Sequence, residues 1–236
     1  MKAKTILITG ANGGLGTSLV KSILKEEPKK IYCTARDETS LAELKSQSDL
    51  VEVLKLDITD KNSINEAISK VEQLDILINN AGVNTNSRLF DDSFFDLEVN
   101  LKGTINMTKA CYEKLESSKG KVVNITTILA LANLPLMANY CISKSALHSF
   151  TQALRAEFAL FGGEVYEVLP GPIETRMTEG FPMPKTSPDD IAKAVLEGIA
   201  NKEYEIFPDQ FSQMINQRLQ SEPQKVIEEF KQSINM

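Results

Sequence analysis

The sequence predicts a doubly wound α/β fold, a parallel sheet with helices on both faces, and three observations support it. Short β-branched runs recur along the 236 residues, separated by longer stretches whose apolar positions have helical spacing. The runs are apolar without clean alternation, as strands covered on both faces are. With 42% hydrophobic and 25% charged residues and no linker rich in Pro, Gly or Ser, the chain suits a single domain.

Residues 5–8 read as the first strand and lead into Thr9-Gly10-Ala11-Asn12-Gly13-Gly14-Leu15-Gly16, after which Leu19, Val20, Ile23 and Leu24 repeat with helical spacing. Gly10 is placed to turn the chain sharply, Gly14 to let backbone N–H groups reach an anion, and Gly16 to let helix and strand pack closely. A strand, a glycine loop and a helix N-terminus in this order form a phosphate cradle. Further strands are expected at 31–34, 51–56, 74–79, 121–126 and 164–169, with helices between them. Right-handed crossovers then bring the C-terminal ends of the strands to one edge of the sheet, where ligands of such folds bind. From Asp209 onward, Ile215, Leu219, Val226, Ile227 and Phe230 describe one or two amphipathic helices around Pro223, packed on the domain or on a partner subunit.

A net charge of -6 offers no basic surface to nucleic acid or anionic lipid. Residues 122–143 carry no charge, but Asn124, Thr126, Thr127, Asn133, Pro135 and Asn139 interrupt them, so they read as a buried strand and an apolar loop, not a membrane span. The N-terminus runs straight into a strand with no visible export signal, and Cys33, Cys111 and Cys141 are too scattered for a disulfide framework or a metal clip. A cytoplasmic protein with reduced thiols and no metal is expected. The single histidine, His148, and the lack of a serine elbow argue against a Ser-His-Asp hydrolase.

Further motifs fall near the strand ends. Asn79-Asn80-Ala81-Gly82 closes the fourth strand, and Val99-Asn100-Leu101-Lys102-Gly103 follows it. Tyr140 and Lys144 lie one turn apart on a helix after the fifth strand, and Pro170-Gly171-Pro172-Ile173-Glu174-Thr175 follows the sixth. Together with the glycine loop these residues resemble the short-chain dehydrogenase/reductase family, in its short single-domain type, from Thr5 to about Thr175. Gly13 also fits the glycine spacing of extended relatives such as sugar-nucleotide epimerases; length argues for the short form.

The resemblance implies one Rossmann domain over 1–236, with 1–120 mainly the cofactor half, 121–208 the catalytic and substrate part, and 209–236 a helical tail. It implies contacts to a nicotinamide cofactor from the loop Gly10, Asn12, Gly13, Gly14, Leu15 and Gly16, from Asp57 and Ile58 at the adenine, and from Asn80, Ala81 and Gly82. Pro170, Ile173 and Thr175 would meet the nicotinamide. NAD users of the family carry Asp at the position of Ala35; here Arg36 follows it, and a guanidinium fork suits a 2′-phosphate. NADP(H) is therefore favoured over NAD(H), with Asp37 either neutralising Arg36 or starting the next helix as an N-cap.

The catalytic group implied is Asn100, which holds a relay water, with Thr127, Tyr140 and Lys144. Thr127 stands where the family usually has serine; it keeps the hydroxyl, while its methyl fixes χ1 and narrows the pocket. Thr126 should point to the opposite face. Because a free tyrosine titrates near 10, Tyr140 needs positive charge, from Lys144 and a nicotinamide ring, to act near neutrality. The activity implied is hydride transfer between NADP(H) and a small carbonyl or alcohol with an apolar portion, lined by Ile128, Leu129, Leu134, Leu136 and Met137 under a short loop at 176–188. A non-catalytic NADP-binding sensor and an epimerase are the alternatives. Pairing into a homodimer or homotetramer through residues 106–115 and 143–160 is implied as well.

Overall fold

The computed structural model describes residues 1–235. β1 (Thr5–Ile8), α1 (Gly14–Leu24), β2 (Lys30–Ala35), α2 (Ala42–Gln47), β3 (Val51–Lys55), α3 (Lys61–Ser69) and β4 (Ile76–Asn79) make the first half. α4 (Thr104–Ser118), β5 (Lys121–Ile125), α5 (Ala138–Ala159), β6 (Glu164–Val168), α6 (Pro188–Ala200), β7 (Glu205–Ile206), α7 (Gln210–Ser221) and α8 (Pro223–Lys231) complete it. The strands form one seven-stranded sheet in the order β3-β2-β1-β4-β5-β6-β7. Every pairing is parallel, which is the doubly wound arrangement the sequence predicts.

Both faces of the sheet are covered, so the strands need no polar side. Ile6, Ile8, Ile31, Val123 and Tyr166 pack beneath α1 and α6 on one face. Leu7, Tyr32, Leu77, Val122 and Val165 pack beneath α3, α4 and α5 on the other. Six strands fall where the apolar runs place them. The seventh, β7, has only two residues, too few to show a periodicity. Backbone pairing recruits it: the Glu167 N–H donates to Tyr204 O at 2.9 Å and the Leu169 N–H to Ile206 O at 2.8 Å.

Chain order reverses direction between β1 and β4, so the loops leaving these strands diverge and open a crevice at their C-terminal ends. Side-chain amides tie the sheet beside it. Asn79 Nδ2 donates to Asn124 Oδ1 at 2.8 Å, and Asn124 Nδ2 donates to Thr151 Oγ1 on α5 at 2.9 Å. A π-helical turn, Leu97–Gly103, leads into α4 and carries Asn100.

The tail packs on the body of its own chain, one of the two placements the sequence leaves open. Ile215 and Val226 are buried with Ile128 and Ala132, and Phe211, Leu219 and Phe230 close the cluster. Pro223 opens α8, where a missing N–H costs no helical bond. Asp209 does two tasks: Oδ1 accepts from the Ser212 N–H to cap α7, and Oδ2 accepts from the Gly171 N–H, both at 2.8 Å. Among the described residues no helix is long and apolar enough to cross a membrane. Residues 122–143 form β5, two short 3-10 turns and the start of α5. All three cysteines are free and buried; burial pushes Cys33 and Cys111 up to about 12 and Cys141 up to about 11.

Replacing Asp209 by Ala removes the α7 cap and the tether to Gly171 together. Unfolding free energy should fall by about 1–3 kcal/mol, read from the urea midpoint; an unmoved midpoint would mean that the tail adds nothing to the fold.

Candidate active site

A cavity of about 830 Å³ occupies the crevice at the C-terminal edge of the sheet, within the roughly 300–1,000 Å³ usual for ligand sites. The glycine loop forms its floor. Gly10 takes φ +64°, and a Cβ there would lie 2.9 Å from Ala81 Cα, so conformation and space both demand glycine. A Cβ on Gly16 would run into the Gly10 carbonyl and the Ala11 backbone. α1 then starts at Gly14 with no side chain capping it. Its first N–H groups therefore face the cavity without a protein acceptor among the described residues, a ready anion site. Asn12, Gly13, Gly14 and Leu15 line the same stretch.

Asn80 fastens this loop to the neighbouring strand end. Its Nδ2 donates to the Thr9 and Gly10 carbonyls at 3.0 and 2.9 Å, while Thr9 Oγ1 accepts from the Asn80 and Ala81 N–H groups at 3.0 Å. Asn80, Ala81 and Gly82 then form the next part of the wall.

Arg36, Asp57 and Ile58 line the end of the cavity beyond β2 and β3. Asp37 settles as an N-cap: its Oδ1 accepts from the Thr39 N–H at 2.9 Å and from Thr39 Oγ1 at 2.8 Å. Those bonds, with the Thr39 hydroxyl strongest, hold its carboxyl below the usual range. Arg36 acts instead on Asp57. Partial burial tends to raise that carboxyl, but the bonds from Thr59 and the Arg36 charge outweigh it and hold it low. Ser40 also lines this end and accepts from Asn12 Nδ2 at 3.0 Å.

Thr127, Tyr140 and Lys144 line the other end; Pro170, Ile173 and Thr175 also line the cavity, Pro170 against Thr127 and Thr175 beside Gly14. Thr127 follows β5 and points away from Thr126, as strand alternation requires: Thr127 Oγ1 donates to Pro170 O at 3.2 Å, whereas Thr126 Oγ1 donates to Glu167 at 2.8 Å. Lys144 Nζ donates to Ile125 O at 2.9 Å and sits 5.9 Å from the centre of the Tyr140 ring. Burial lowers Lys144 to about 8. Burial also pushes the Tyr140 phenol up, with only the Thr127 hydroxyl pulling it back. Lys144 alone therefore does not hold the phenol low, and the expected lowering needs the nicotinamide charge as well. In the polypeptide, the cost of desolvating a phenolate exceeds what one neighbouring cation returns, so further positive charge has to come from a bound group.

Asn100 is fully buried and does not line the cavity. Its Oδ1 accepts from the Val83 N–H at 2.8 Å, and its Nδ2 donates to Val83 O and Ser143 Oγ at 2.9 Å. Gly82 fits between it and Lys144: a Cβ there would lie 3.1 Å from Asn100 Oδ1 and 3.4 Å from Lys144 Nζ. Asn100 thus holds the loop after Gly82 in place.

The expected apolar lining is also corrected. Ile128 is buried against the tail, and Leu129, Leu134 and Met137 pack around Tyr140 and Cys141 or the tail. None of these, nor Leu136, lines the cavity; Val83, Phe95, Val99 and Met177 do. Phe95 lies in the short helical start before the π-helical turn and Met177 in a three-residue 3-10 turn, both too short for a periodicity to tell inward from outward. His148 pairs with Glu167 at 2.8 Å. These two and Glu205 bring metal-ligand atoms within 4.8 Å of one another, a cluster that sequence spacing does not show and that lies outside the cavity lining.

The residues along this crevice fit a dinucleotide: open N–H groups at a helix start, a floor that tolerates no Cβ, and an arginine at the far end. The model of the family described as short chain dehydrogenase matches residues 4–184. An uncharacterized oxidoreductase of Staphylococcus aureus is 33% identical over 217 residues, 85% of this chain and 93% of that protein. A short-chain dehydrogenase from Burkholderia cenocepacia, solved in complex with NADP, superposes with a TM-score of 0.92 at 32% identity, covering 97% of this chain and 98% of that one. Another, from Burkholderia phymatum in complex with NAD, shares the fold with a TM-score of 0.81 at 21% identity, over 93% and 94% of the two chains. The chain belongs to the short-chain dehydrogenase/reductase family of oxidoreductase enzymes.

Proposed function

We propose that the protein is an NADP(H)-dependent oxidoreductase that interconverts a ketone or aldehyde and the corresponding alcohol. One observation carries this reading: Thr127, Tyr140 and Lys144 share one end of a single cavity whose other end holds the glycine loop and Arg36. The NADP bound to the Burkholderia cenocepacia relative supports the cofactor, and the turning of Asp37 onto Thr39 leaves Arg36 for a 2′-phosphate.

The bound nicotinamide supplies or accepts the hydride and brings a positive charge when oxidised. Gly10, Asn12, Gly13, Gly14, Leu15 and Gly16 hold its pyrophosphate, Asp57 and Ile58 its adenine, Asn80, Ala81 and Gly82 its ribose side, and Pro170, Ile173 and Thr175 its nicotinamide side. Tyr140 passes its phenolic proton to the substrate oxygen during reduction and takes it back during oxidation. Thr127 holds that oxygen through its hydroxyl. Lys144 binds ribose hydroxyls and favours the phenolate, and Asn100 fixes the loop that faces both. Phe95, Val99 and Met177 receive an apolar part of the substrate. We assign this work to one domain over 1–236, in the cytoplasm. A homodimer or homotetramer through α4 and α5 would cover the exposed Ile142 on α5 and Leu160 just after it.

Tyr140→Phe should cut carbonyl reduction, followed as loss of NADPH absorbance, by roughly 10²–10⁴-fold while NADPH affinity stays nearly unchanged; wild-type turnover in that variant would refute the role of Tyr140. Arg36→Leu should raise the NADPH KM by about 10- to 100-fold and leave the NADH KM near its starting value. Because Lys144 is charged only below its lowered pKa of about 8, NADPH affinity should weaken as pH rises through that value, measured by isothermal titration from pH 6 to 9. An affinity flat across that range would remove the Lys144 charge from cofactor binding.

A further inference from the structure

Glu167 lies on β6 with no solvent exposure, at a position where the neighbouring strand residues are apolar. Two contacts fix its carboxylate and a third fixes its backbone. Oε1 accepts from Thr126 Oγ1 at 2.8 Å, Oε2 meets His148 Nδ1 at 2.8 Å, and its backbone N–H donates to Tyr204 O on the β7 side. Gln152 Nε2 lies 3.0 Å from His148 Nε2, so both ring nitrogens have polar neighbours. The Glu167 carboxylate is thus a negative charge held inside the protein by a hydroxyl and an imidazole.

That charge sits directly behind the reacting end of the cavity. His148 is one turn from Lys144 on α5, and Thr126 follows Ile125, whose carbonyl accepts from Lys144 Nζ at 2.9 Å. Thr126 in turn precedes Thr127. Two carboxylates favour the charged form of Lys144 against burial, Glu167 more strongly than Asp96. Other charges surround the group. Burial raises the Glu167 carboxyl, His148 and Thr126 oppose that rise, and Glu205 on β7 adds to it; Arg155 on α5 approaches Glu205 at 3.7 Å. Tyr140 is the remaining titratable group beside Lys144.

We propose that Glu167, anchored by His148 and Thr126, is a positioning residue that supplies the buried counter-charge for Lys144. Without it, a lysine with almost no water around it would shed its proton near neutral pH. The role in catalysis rests on the proposed oxidoreductase reading; the electrostatic link between the two side chains does not.

The test separates these. Protein labelled with ¹³C at lysine Cε is titrated by NMR, with the Lys144 signal identified by its loss in Lys144→Arg. Glu167→Gln, which keeps the side-chain shape, should lower the Lys144 titration midpoint by about one pH unit; Glu167→Asp, which keeps the charge, should restore most of it. In the same variants the NADPH KM should rise in Glu167→Gln at pH 8 far more than at pH 6.5, with the difference reduced in Glu167→Asp. If Glu167→Gln does not fold, Glu167→Gln/His148→Gln removes the charge while leaving two amides that can bond each other, and the same downward shift is expected. An unchanged Lys144 midpoint in a folded charge-free variant would overturn the proposal. A shifted midpoint in a protein that binds no nicotinamide cofactor would keep the electrostatic link and overturn the oxidoreductase reading instead.

Discussion

Gly10 and Ala81 touch so closely that no side-chain carbon fits between them, and everything at the cavity follows from that contact. It brings the loop after β1 against the loop after β4 at the point where the strand order reverses. Thr9 and Asn80 lock the two together through four hydrogen bonds. With the loops fixed, α1 can start without a side-chain cap and present its N–H groups to the crevice. Gly82 then opens the space into which Asn100 and Lys144 converge. A larger residue at any of these positions would push apart the floor and the wall of one cavity.

The second constraint is electrostatic. Tyr140 and Lys144 are both buried, and burial opposes the charged form of each: it raises the phenol and lowers the ammonium. Two buried titratable groups side by side are poorly poised until something restores charge to their surroundings. On the polypeptide side Glu167 and Asp96 favour the ammonium; on the cofactor side an oxidised nicotinamide favours the phenolate. Under the proposed function, catalytic competence is thereby coupled to cofactor binding, which would let a tyrosine work here without being reactive in the empty protein.

The parts of the molecule that sequence makes legible are those ruled by backbone geometry. Glycines that tolerate no Cβ, the Asn79-Asn80 amides, and Tyr140 and Lys144 one turn apart all leave a local pattern, and each falls where that pattern puts it. What escaped depends on contacts between distant segments. Ile128 is apolar and near Thr127 in sequence, yet the tail, about a hundred residues later, covers it. Phe95 and Met177 reach the cavity from helical turns too short to show a periodicity. β7 exists because β6 offers it hydrogen bonds. The Glu167–His148 pair joins a strand to a helix whose separate patterns give no hint of it, and Asp37, with two roles open from sequence, was decided by the turn of a few residues toward Thr39.

A thermal-shift titration with NADPH and NADH side by side asks whether the crevice is the NADP(H) site proposed for it. A ligand at a hundredfold its dissociation constant should add roughly 2.7 kcal/mol of stability. Stabilisation by NADPH at concentrations well below those needed of NADH is the result expected from Arg36 at the far end of the cavity. A preference for NADH would contradict the role of Arg36, and a melting temperature unmoved by either nucleotide would contradict the site itself.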